Sequence, residues 1–385
     1  MTHYGIVSVS FTGPLNTMLP LGQELQRRGH QVTLIALLDT QLKAQAAGIP
    51  FRAIGQEAFP VGSLKASQSH LGKLSGLAAL RYTIEILNRS AEVLLQDAPE
   101  ICREIGVEAP LVNQGTSAGG TLADHLRIPF ITVCSAAVLN RESTIPPCIT
   151  QWQYSSAWSA QLRNRFGYWL LERMAQPIIN TISQYRQQWQ LLPYNSPDDG
   201  YSDLAQISQA PAAFEFPRQY LPSRFHFTGP FHTSDSREKI PFPWEQINPD
   251  KPVIYASMGT LQNQLLWVFE KIAEACSSLE AQFSHAGMNT TMECLMHGVP
   301  MIAIPVTNDQ PGVSSRIVWP GVGERISLRK LNVEKLRAVT QSVLTHPSYK
   351  EAALRLQSAC RSAGGAQRAA DIIETVVATG QPILD

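Results

Sequence analysis

The sequence lacks an excess of charge of either sign. Its 385 residues include 31 lysines and arginines and 31 aspartates and glutamates, so the formal net charge is zero. Proteins that bind nucleic acid usually carry a basic surplus, whereas the basic residues here occur only in short groups such as Arg27–Arg28. The sequence therefore argues against a nucleic-acid partner.

Closely spaced cysteines and long apolar runs are also absent. The six cysteines contain no C-x-x-C pair, which argues against a zinc or redox site and favours reduced, buried thiols. No run of 18 apolar residues could span a membrane, and no signal peptide is visible at the N-terminus. We expect a cytoplasmic protein, for which peripheral contact with a membrane stays open.

The phosphate-binding fingerprint of nicotinamide-dependent enzymes is missing. The first strand-like run, residues 4–11, leads into TGPLN (12–16) and not into a G-x-G-x-x-G turn. A dehydrogenase would share the α/β pattern described below, but this absence argues against that class.

Strand-like and helical segments alternate along the chain. Apolar runs predict strands at 4–11, 30–37, 51–54, 109–115 and 128–136, and helices lie between them, including 72–105 and 118–126. In the first helix Leu15, Met18, Leu19 and Leu25 lie on one side. Alternating strands and helices indicate a parallel sheet.

A proline-rich segment divides the chain. Residues 227–252 contain five prolines among clustered polar residues, which is typical of a domain boundary. We predict an N-terminal domain at 1–228, a linker at 229–250 and a C-terminal domain at 251–385. Beyond the linker, strands are predicted at 251–260 and 300–306 and helices at 262–281, 332–343 and 349–376. The predicted fold class is α/β, with two doubly wound domains facing each other across a cleft.

Residues 150–192 are rich in aromatic side chains. Two interpretations stay open: helices that pack on the sheet, or a partly aromatic acceptor pocket. The residues concerned are Trp152, Tyr154, Trp158, Tyr168, Trp169, Tyr185 and Trp189.

The clearest functional pattern lies at 283–312. The loop from His285 to Gly287 precedes a helical segment, and the backbone N–H groups at such a helix start attract phosphate. Glycine allows close approach of a ligand to the backbone. Asn289 and Thr290 add polar groups, and Glu293 projects near the same helix end, where its carboxylate could accept hydrogen bonds from a ribose.

A second polar group follows the next strand. Asp309 and Gln310 come directly after the strand at 300–306, at the strand end where α/β sheets bind ligands. No carboxylate cluster lies near the phosphate loop, so no metal is expected.

These elements resemble the donor signature of family 1 UDP-glycosyltransferases, with H-x-G-x-N-[ST]-x-x-E, G-V-P-M and D-Q at matching spacing. The segments at 27–33, 118–134 and 363–374 resemble the bacterial branch that includes macrolide- and zeaxanthin-glucosyltransferase-like proteins. The resemblance implies a GT-B fold of two facing Rossmann-like domains, with the last helix returning to the N-terminal domain. It also implies a UDP-sugar as co-substrate and no further cofactor.

The resemblance also implies roles for individual residues. His285 and Thr290 would contact the pyrophosphate, Gly287 and Asn289 would shape the loop, and Glu293 would hold the ribose. The side chains of Asp309 and Gln310 would bind the sugar hydroxyls. Thr260, in the SMGT turn, would also face the phosphate. The expected reaction is inverting transfer of a hexose to a hydroxyl of a small, apolar acceptor that is carotenoid-, macrolide- or flavonoid-like.

The chain departs from this family at the position of the catalytic base. The family has a histidine in a G-H-x-x-P turn, whereas this chain has Pro14 there. Asn113 stands where the family has the aspartate that orients the histidine, and it has no charge with which to stabilise an imidazolium. Asp124 is expected to be a surface residue of a helix, and Glu142 is a conceivable substitute base. No catalytic residue is therefore assigned.

A segment of the family is missing from the second domain. Only 24 residues separate Thr260 from His285, where the family carries two further βα units and a uracil-stacking tryptophan. A helix of about 20 residues would leave only Ala281 to Ser284, fewer than the five to six residues of a mean strand. We therefore expect a distorted or repacked domain, and we interpret Trp267 as a core residue.

Two hypotheses follow from the sequence. The first is an active hexosyltransferase that relies on positioning and on stabilisation of the departing diphosphate. The alternative is a catalytically impaired or inactive relative that binds ligands, which Pro14, Asn113 and the missing segment favour.

Overall fold

A computed structural model of the chain describes residues 1–232, 245, 255–260, 265–276, 283–284 and 287–384, with only the backbone described at 283–284. These residues form two lobes, each built on a parallel β-sheet. The prediction of an α/β fold with parallel sheets is confirmed. Among the described helices, none is both long and apolar enough to cross a membrane.

The first lobe contains a seven-stranded sheet in the order β3-β2-β1-β4-β5-β6-β7. Its strands are β1 (His3–Val7), β2 (Gln31–Leu37), β3 (Phe51–Ile54), β4 (Ala109–Asn113), β5 (Ile131–Cys134), β6 (Gln206–Ser208) and β7 (Phe225–Phe227). Its helices are α1 (Thr12–Arg27), α2 (Gln41–Ala46), α3 (Ser63–Gly72), α4 (Gly76–Ile105), α5 (Gly119–Leu126), α6 (Trp158–Met174) and α7 (Gln176–Gln188).

The central strands of this sheet are buried on both faces. Along β1, Tyr4 and Ile6 belong to one apolar cluster, while Val7 belongs to a second cluster. Parallel strands covered by helices on both faces are uniformly apolar for this reason. The predicted apolar side of the first helix is confirmed, since Leu15, Met18, Leu19 and Leu25 are all buried.

The second lobe contains a four-stranded sheet in the order β11-β10-β9-β8. Its strands are β8 (Ala256–Ser257), β9 (Phe283–Ser284), β10 (Met301–Ala303) and β11 (Gly323–Arg325). Its helices are α8 (Leu266–Cys276), α9 (Met288–Met296), α10 (Gln310–Val318), α11 (Val333–Thr345) and α12 (Pro347–Ser362), and α13 (Gly365–Thr379) follows them.

A strand precedes the predicted phosphate loop. Its described part, β9 (Phe283–Ser284), lies within the four residues, 281–284, that the sequence left for a strand, and β9 pairs with both β8 and β10.

The last helix packs on the first lobe. Ile373 and Val376 of α13 are buried in the same cluster as residues of β1 and α1, and Arg28 forms ion pairs with Asp371 and Glu374, both at 2.6 Å. The single helix predicted at 349–376 is wrong, because the chain breaks at Gly364, whose φ of +92° is left-handed.

Candidate functional site at the interlobe seam

The predicted phosphate site lies at the start of α9. Gly287 precedes the helix with an extended backbone, and no side chain caps the helix start. The first N–H groups of a helix have no partner within it, and their dipoles favour a phosphate. Buried Met288, Met292 and Leu295 hold α9 on the core. His285, which was predicted to contact the pyrophosphate, lies outside the described residues.

Asn289 joins this helix start to the first lobe. Its Nδ2 donates to the carbonyl oxygen of Gly13 at 2.8 Å, and its Oδ1 accepts from Thr17 at 3.2 Å and from Gln209 at 3.1 Å. Gly13 and Asn289 are 276 residues apart in the chain. The contact therefore brings the first turn of α1, which contains Pro14, to the start of α9. We name this boundary between the two lobes the interlobe seam.

Two further predicted donor residues lie on α9. Thr290 and Glu293 are both half-buried, and the hydroxyl of Thr290 makes no hydrogen bond to the described residues. Thr260 is exposed in the turn after β8, where Gly259 has a φ of +66°. Because β8 and β9 are parallel neighbours, that turn lies at the same sheet edge as the loop that leads to α9. Donor binding by these residues stays a prediction.

The loop between β10 and α10 is turned towards the first lobe. Asn308 accepts a hydrogen bond from Thr83 of α4 at 3.2 Å, and the N–H of Gly312 donates to the carbonyl oxygen of Cys148 at 2.8 Å. The Asp309 carboxylate accepts from the backbone of Ala137, and burial raises the pKa of Asp309.

The side-chain oxygen of Gln310 is hydrogen-bonded within its own loop. Its Oε1 accepts from the N–H groups of Val306 at 2.8 Å and Thr307 at 3.4 Å, and the residue is buried. Only the amide nitrogen is left for a ligand. The predicted contacts of Asp309 and Gln310 with sugar hydroxyls stay predictions.

The base position holds no group that takes up a proton. Pro14 lies half-buried in the first turn of α1. Asn113 ends β4, the neighbour of β1, and is buried. Its Nδ2 donates to the hydroxyl of Ser135 at 2.6 Å, and its Oδ1 accepts from the N–H of Gly115 at 3.0 Å. Asn113 therefore serves as a structural link between strand ends.

The two carboxylates considered as substitutes have other partners. Asp124 is a partly exposed residue of α5, as expected, and its Oδ2 lies 2.7 Å from Arg186 in an ion pair. Glu142 is buried, where one oxygen accepts hydrogen bonds from Thr144 and Gln219. Neither contact involves the second lobe.

A buried ion pair across the seam was not predicted from the sequence. Glu215 of the first lobe lies 2.6 Å from Arg316 of α10, and both side chains are almost fully buried. Burial alone would raise the pKa of Glu215, but the guanidinium groups of Arg316 and Arg218 outweigh it and lower that pKa. No sequence signal marks this pair, because its members are 101 residues apart in unrelated contexts.

Two expectations about aromatic residues are corrected. Trp267 is 38% exposed on α8 and is not a core residue. In the 150–192 region, Tyr154 lies before α6 and packs against Phe216 and Trp319 at the seam, not as part of a helix on the sheet. Trp158 and Trp169, however, are 77% and 55% exposed, so they neither pack on the sheet nor line a closed pocket.

The first lobe has a small cavity at the carboxyl ends of its strands. It measures about 30 Å³ and is lined in part by Ser8, Ser10, Leu37, Gly115 and Thr116. This volume accommodates about one water molecule.

Comparisons with known proteins agree with the sequence motifs. The model of the family described as UDP-glucoronosyl and UDP-glucosyl transferase matches residues 275–363. The zeaxanthin glucosyltransferase of Pantoea ananas is 30% identical, over 100% of this chain and 98% of that protein. The zeaxanthin glucosyltransferase of Pseudescherichia vulneris is 28% identical, over the whole of both chains.

The same comparisons bear on the missing segment and on the fold. The alignment with the Pantoea protein runs over 435 positions, while this chain has 385 residues, so at least 50 positions have no counterpart here. The solved glycotransferase of kitacinnamycin superimposes with a TM-score of 0.75, at 20% identity, over 97% of this chain and 98% of that one. The two-lobed GT-B fold is thereby shown. With 30% identity over its whole length to a zeaxanthin glucosyltransferase, the chain belongs to the UDP-glycosyltransferase family.

Proposed function

We propose that this protein is a UDP-sugar-dependent hexosyltransferase that acts slowly on a hydroxyl of a small apolar acceptor, with inversion at the anomeric carbon. The observation that carries the proposal is the contact between Asn289 and Gly13. It supports the proposal because it joins the start of the donor helix to the turn at which an acceptor hydroxyl would be activated. The relatives named for zeaxanthin indicate a hydroxylated carotenoid as the first acceptor to test.

On the donor side, the UDP diphosphate would lie at the start of α9. The free N–H groups there and the hydroxyl of Thr290 would bind its oxygens, and Glu293 would accept from the ribose hydroxyls. Thr260 would approach the phosphates from the neighbouring strand end. As the bond to the sugar breaks, negative charge grows on the diphosphate, and the helix N-terminus stabilises it.

On the acceptor side, the chain offers positioning without a base. Pro14 takes up no proton, and the amide of Asn113 is committed to Ser135 and Gly115. Loss of a general base typically costs about 10²–10⁴-fold in rate. Transfer would therefore depend on holding the hydroxyl close to the anomeric carbon, with the proton passing to solvent.

A second candidate function is ligand binding without turnover. It is favoured by the seam itself, since Asn289, Asn308 and Asp309 are all engaged with the first lobe where donor and acceptor would meet. A nucleotide would then bind only after the lobes separate.

Calorimetric titration with UDP, followed by a transfer assay, tests both candidates. The proposal expects heat of binding at micromolar to millimolar UDP, and slow formation of a glucoside from UDP-glucose and zeaxanthin. Binding without product would favour the second candidate. Absence of heat at millimolar UDP would reject both, because each requires a nucleotide site at α9.

The variant Thr290→Val is a useful companion to this titration. Valine has nearly the shape of threonine but no hydroxyl, so it should weaken UDP binding several-fold if the hydroxyl binds the diphosphate. Thr345→Val, on the exposed end of α11, is the matched control and should leave the affinity unchanged.

A further inference from the structure

Helix α6 has its apolar face on the outside. The exposed side chains include Trp158, Leu162, Phe166 and Trp169, at 77%, 59%, 59% and 55% exposure, together with Leu170 at 44%. At 100° per residue these five positions fall within one arc of about a third of the helix. We name this arc the α6 apolar face.

The opposite side of the helix carries small or polar residues. Ala160, Asn164 and Gly167 are its buried residues, and Gly167 lies so close to Trp152 and Pro147 that an added Cβ would clash with them. A surface helix normally buries its large apolar residues and exposes its polar ones. The reversed arrangement in α6 leaves an apolar face that the described residues do not cover, which is typical of a surface that binds a partner or a membrane.

The charges beside the face are basic. Arg165 and Arg173 are exposed on α6, and neither forms an ion pair with the described residues. The one acidic residue of the helix, Glu172, is neutralised by Arg141 at 2.7 Å. At the same spacing, Arg165 lies at one edge of the α6 apolar face and Arg173 lies within its arc, at the C-terminal end of the helix. Tryptophan, phenylalanine and leucine accompanied by arginines are typical of helices that lie in the surface of an anionic membrane.

We propose that α6 docks on the surface of an anionic lipid bilayer, with its axis in the membrane plane. The helix has 17 residues with arginines along its length, so it fits lying on the membrane and not crossing it. The rings of Trp158 and Trp169 would lie at headgroup depth, and Arg165 and Arg173 would bind lipid phosphates.

The position of α6 relates this docking to the proposed function. Its inner face contacts Pro147, and the next residue, Cys148, accepts the hydrogen bond from Gly312 across the interlobe seam. The helix that carries the α6 apolar face therefore contacts the same segment, Pro147–Cys148, that contacts the second lobe at the interlobe seam. This relation rests on the proposed function, in which the acceptor is apolar and therefore dissolves in lipid. Docking would then place the interlobe seam next to the membrane that holds the acceptor.

Vesicle flotation with the purified full chain tests the proposal. We expect the protein to float with vesicles of phosphatidylcholine and phosphatidylglycerol at 7:3, and to float less with phosphatidylcholine alone or at high salt. The triple variant Trp158→Ser, Phe166→Ser and Trp169→Ser should lower the partition coefficient about tenfold or more. Arg165→Gln with Arg173→Gln should reduce binding to the anionic vesicles only.

Two controls separate docking through α6 from adhesion by any exposed apolar residue and from dimerisation. Leu42→Ser with Val61→Ser removes two apolar residues that are 78% and 77% exposed elsewhere in the first lobe, and should leave flotation unchanged. Failure of the wild-type protein to float with anionic vesicles would overturn the proposal. So would a lipid-free dimer, seen by light scattering, that the triple variant converts to a monomer, because a second copy would then cover the face.

Failure of docking can be distinguished from failure of the proposed function. UDP binding is measured without lipid, and the triple variant should bind UDP as the wild-type protein does, because α9 is unchanged. A protein that floats with vesicles but does not bind UDP would support the docking proposal and contradict the proposed donor site at α9.

Discussion

The two lobes differ in what they retain. The first lobe has a complete seven-stranded sheet with strands of three to seven residues, yet Pro14 and Asn113 replace its expected catalytic groups. The second lobe contains the donor motif, yet only 24 residues separate Thr260 from His285, where the resemblance to the family implies two further βα units. The two lobes thus depart from the family in different ways: the first lobe in its expected catalytic residues, and the second lobe in the length of the segment before the donor motif.

The first prediction restores the missing chemistry of the first lobe. Pro14→His with Asn113→Asp should raise the rate of transfer about 10²–10⁴-fold, because the carboxylate would orient an imidazole able to take the acceptor proton. Pro14 is half-buried. An aspartate at 113 can still accept from the N–H of Gly115, and the Ser135 hydroxyl, which now accepts from Asn113, would turn to donate to the carboxylate. Release of UDP from UDP-glucose in the presence of acceptor measures the rate.

The control for this pair is Pro14→Ala with Asn113→Asp, which removes the proline without adding a base. Equal rates for the two double variants, in proteins that both bind UDP, would contradict the view that the first lobe lacks only its base.

The second prediction concerns how far the second lobe depends on the first for its stability. Arg316→Ala removes the closer of the two guanidinium partners of Glu215 and leaves Arg218 at 3.4 Å, so it should lower the free energy of unfolding by about 3 kcal/mol, the lower end of the cost of breaking a buried ion pair. Urea denaturation measures this difference. Arg52→Ala, which removes an exposed pair of 3.8 Å with Glu104, should cost less than about 1 kcal/mol.

A double variant sharpens this test. Glu215→Leu with Arg316→Met removes both charges of this pair but leaves the buried guanidinium of Arg218 without its carboxylate partner, so it should recover little of the stability that Arg316→Ala loses. If Arg316→Ala lowers the free energy of unfolding no more than Arg52→Ala does, the buried ion pair does not stabilise the contact between the two lobes.

The third prediction tests the contact at the start of α9. Asn289→Ala removes three hydrogen bonds between the lobes and should lower the free energy of unfolding by about 1–3 kcal/mol. Asn180→Ala, at an exposed position of α7 with one hydrogen-bond partner, should cost less than about 0.5 kcal/mol. A loss no greater than that of Asn180→Ala would show that the seam is open in solution.

The sequence predicts the first lobe well where apolar runs are long. The β1, β2, β4 and β5 strands and the apolar side of α1 follow from local pattern, because a buried parallel strand is uniformly apolar. The short β6 and β7 escape prediction, since three residues display no period. The outward face of α6 escapes as well, because helical spacing reveals an apolar side but not whether it faces inwards.

The candidate site is predictable in part for the same reason. The helix start at Gly287 and the polar turn at Asp309–Gln310 follow from motif spacing within one segment. The links from Asn289 to Gly13 and from Glu215 to Arg316 join residues 276 and 101 positions apart, and no local pattern encodes them. They depend on how the two lobes meet in the folded protein.

The smallest expected effect is the pH dependence of the lobe contact. The pKa of Glu215 is lowered from its ordinary value of 4.5 in the folded protein, so the unfolded chain binds this proton more readily. The stabilisation by Glu215 is thus present above the unfolded pKa and is lost as the pH falls through the folded pKa. The free energy of unfolding should fall below about pH 4.5, by at most about 1.4 kcal/mol per pH unit from this group. Glu215→Gln should show a shallower acid slope in urea titrations from pH 7 to 3. Identical slopes would mean that Glu215 is solvated, and that the lobes meet less closely than Arg316 implies.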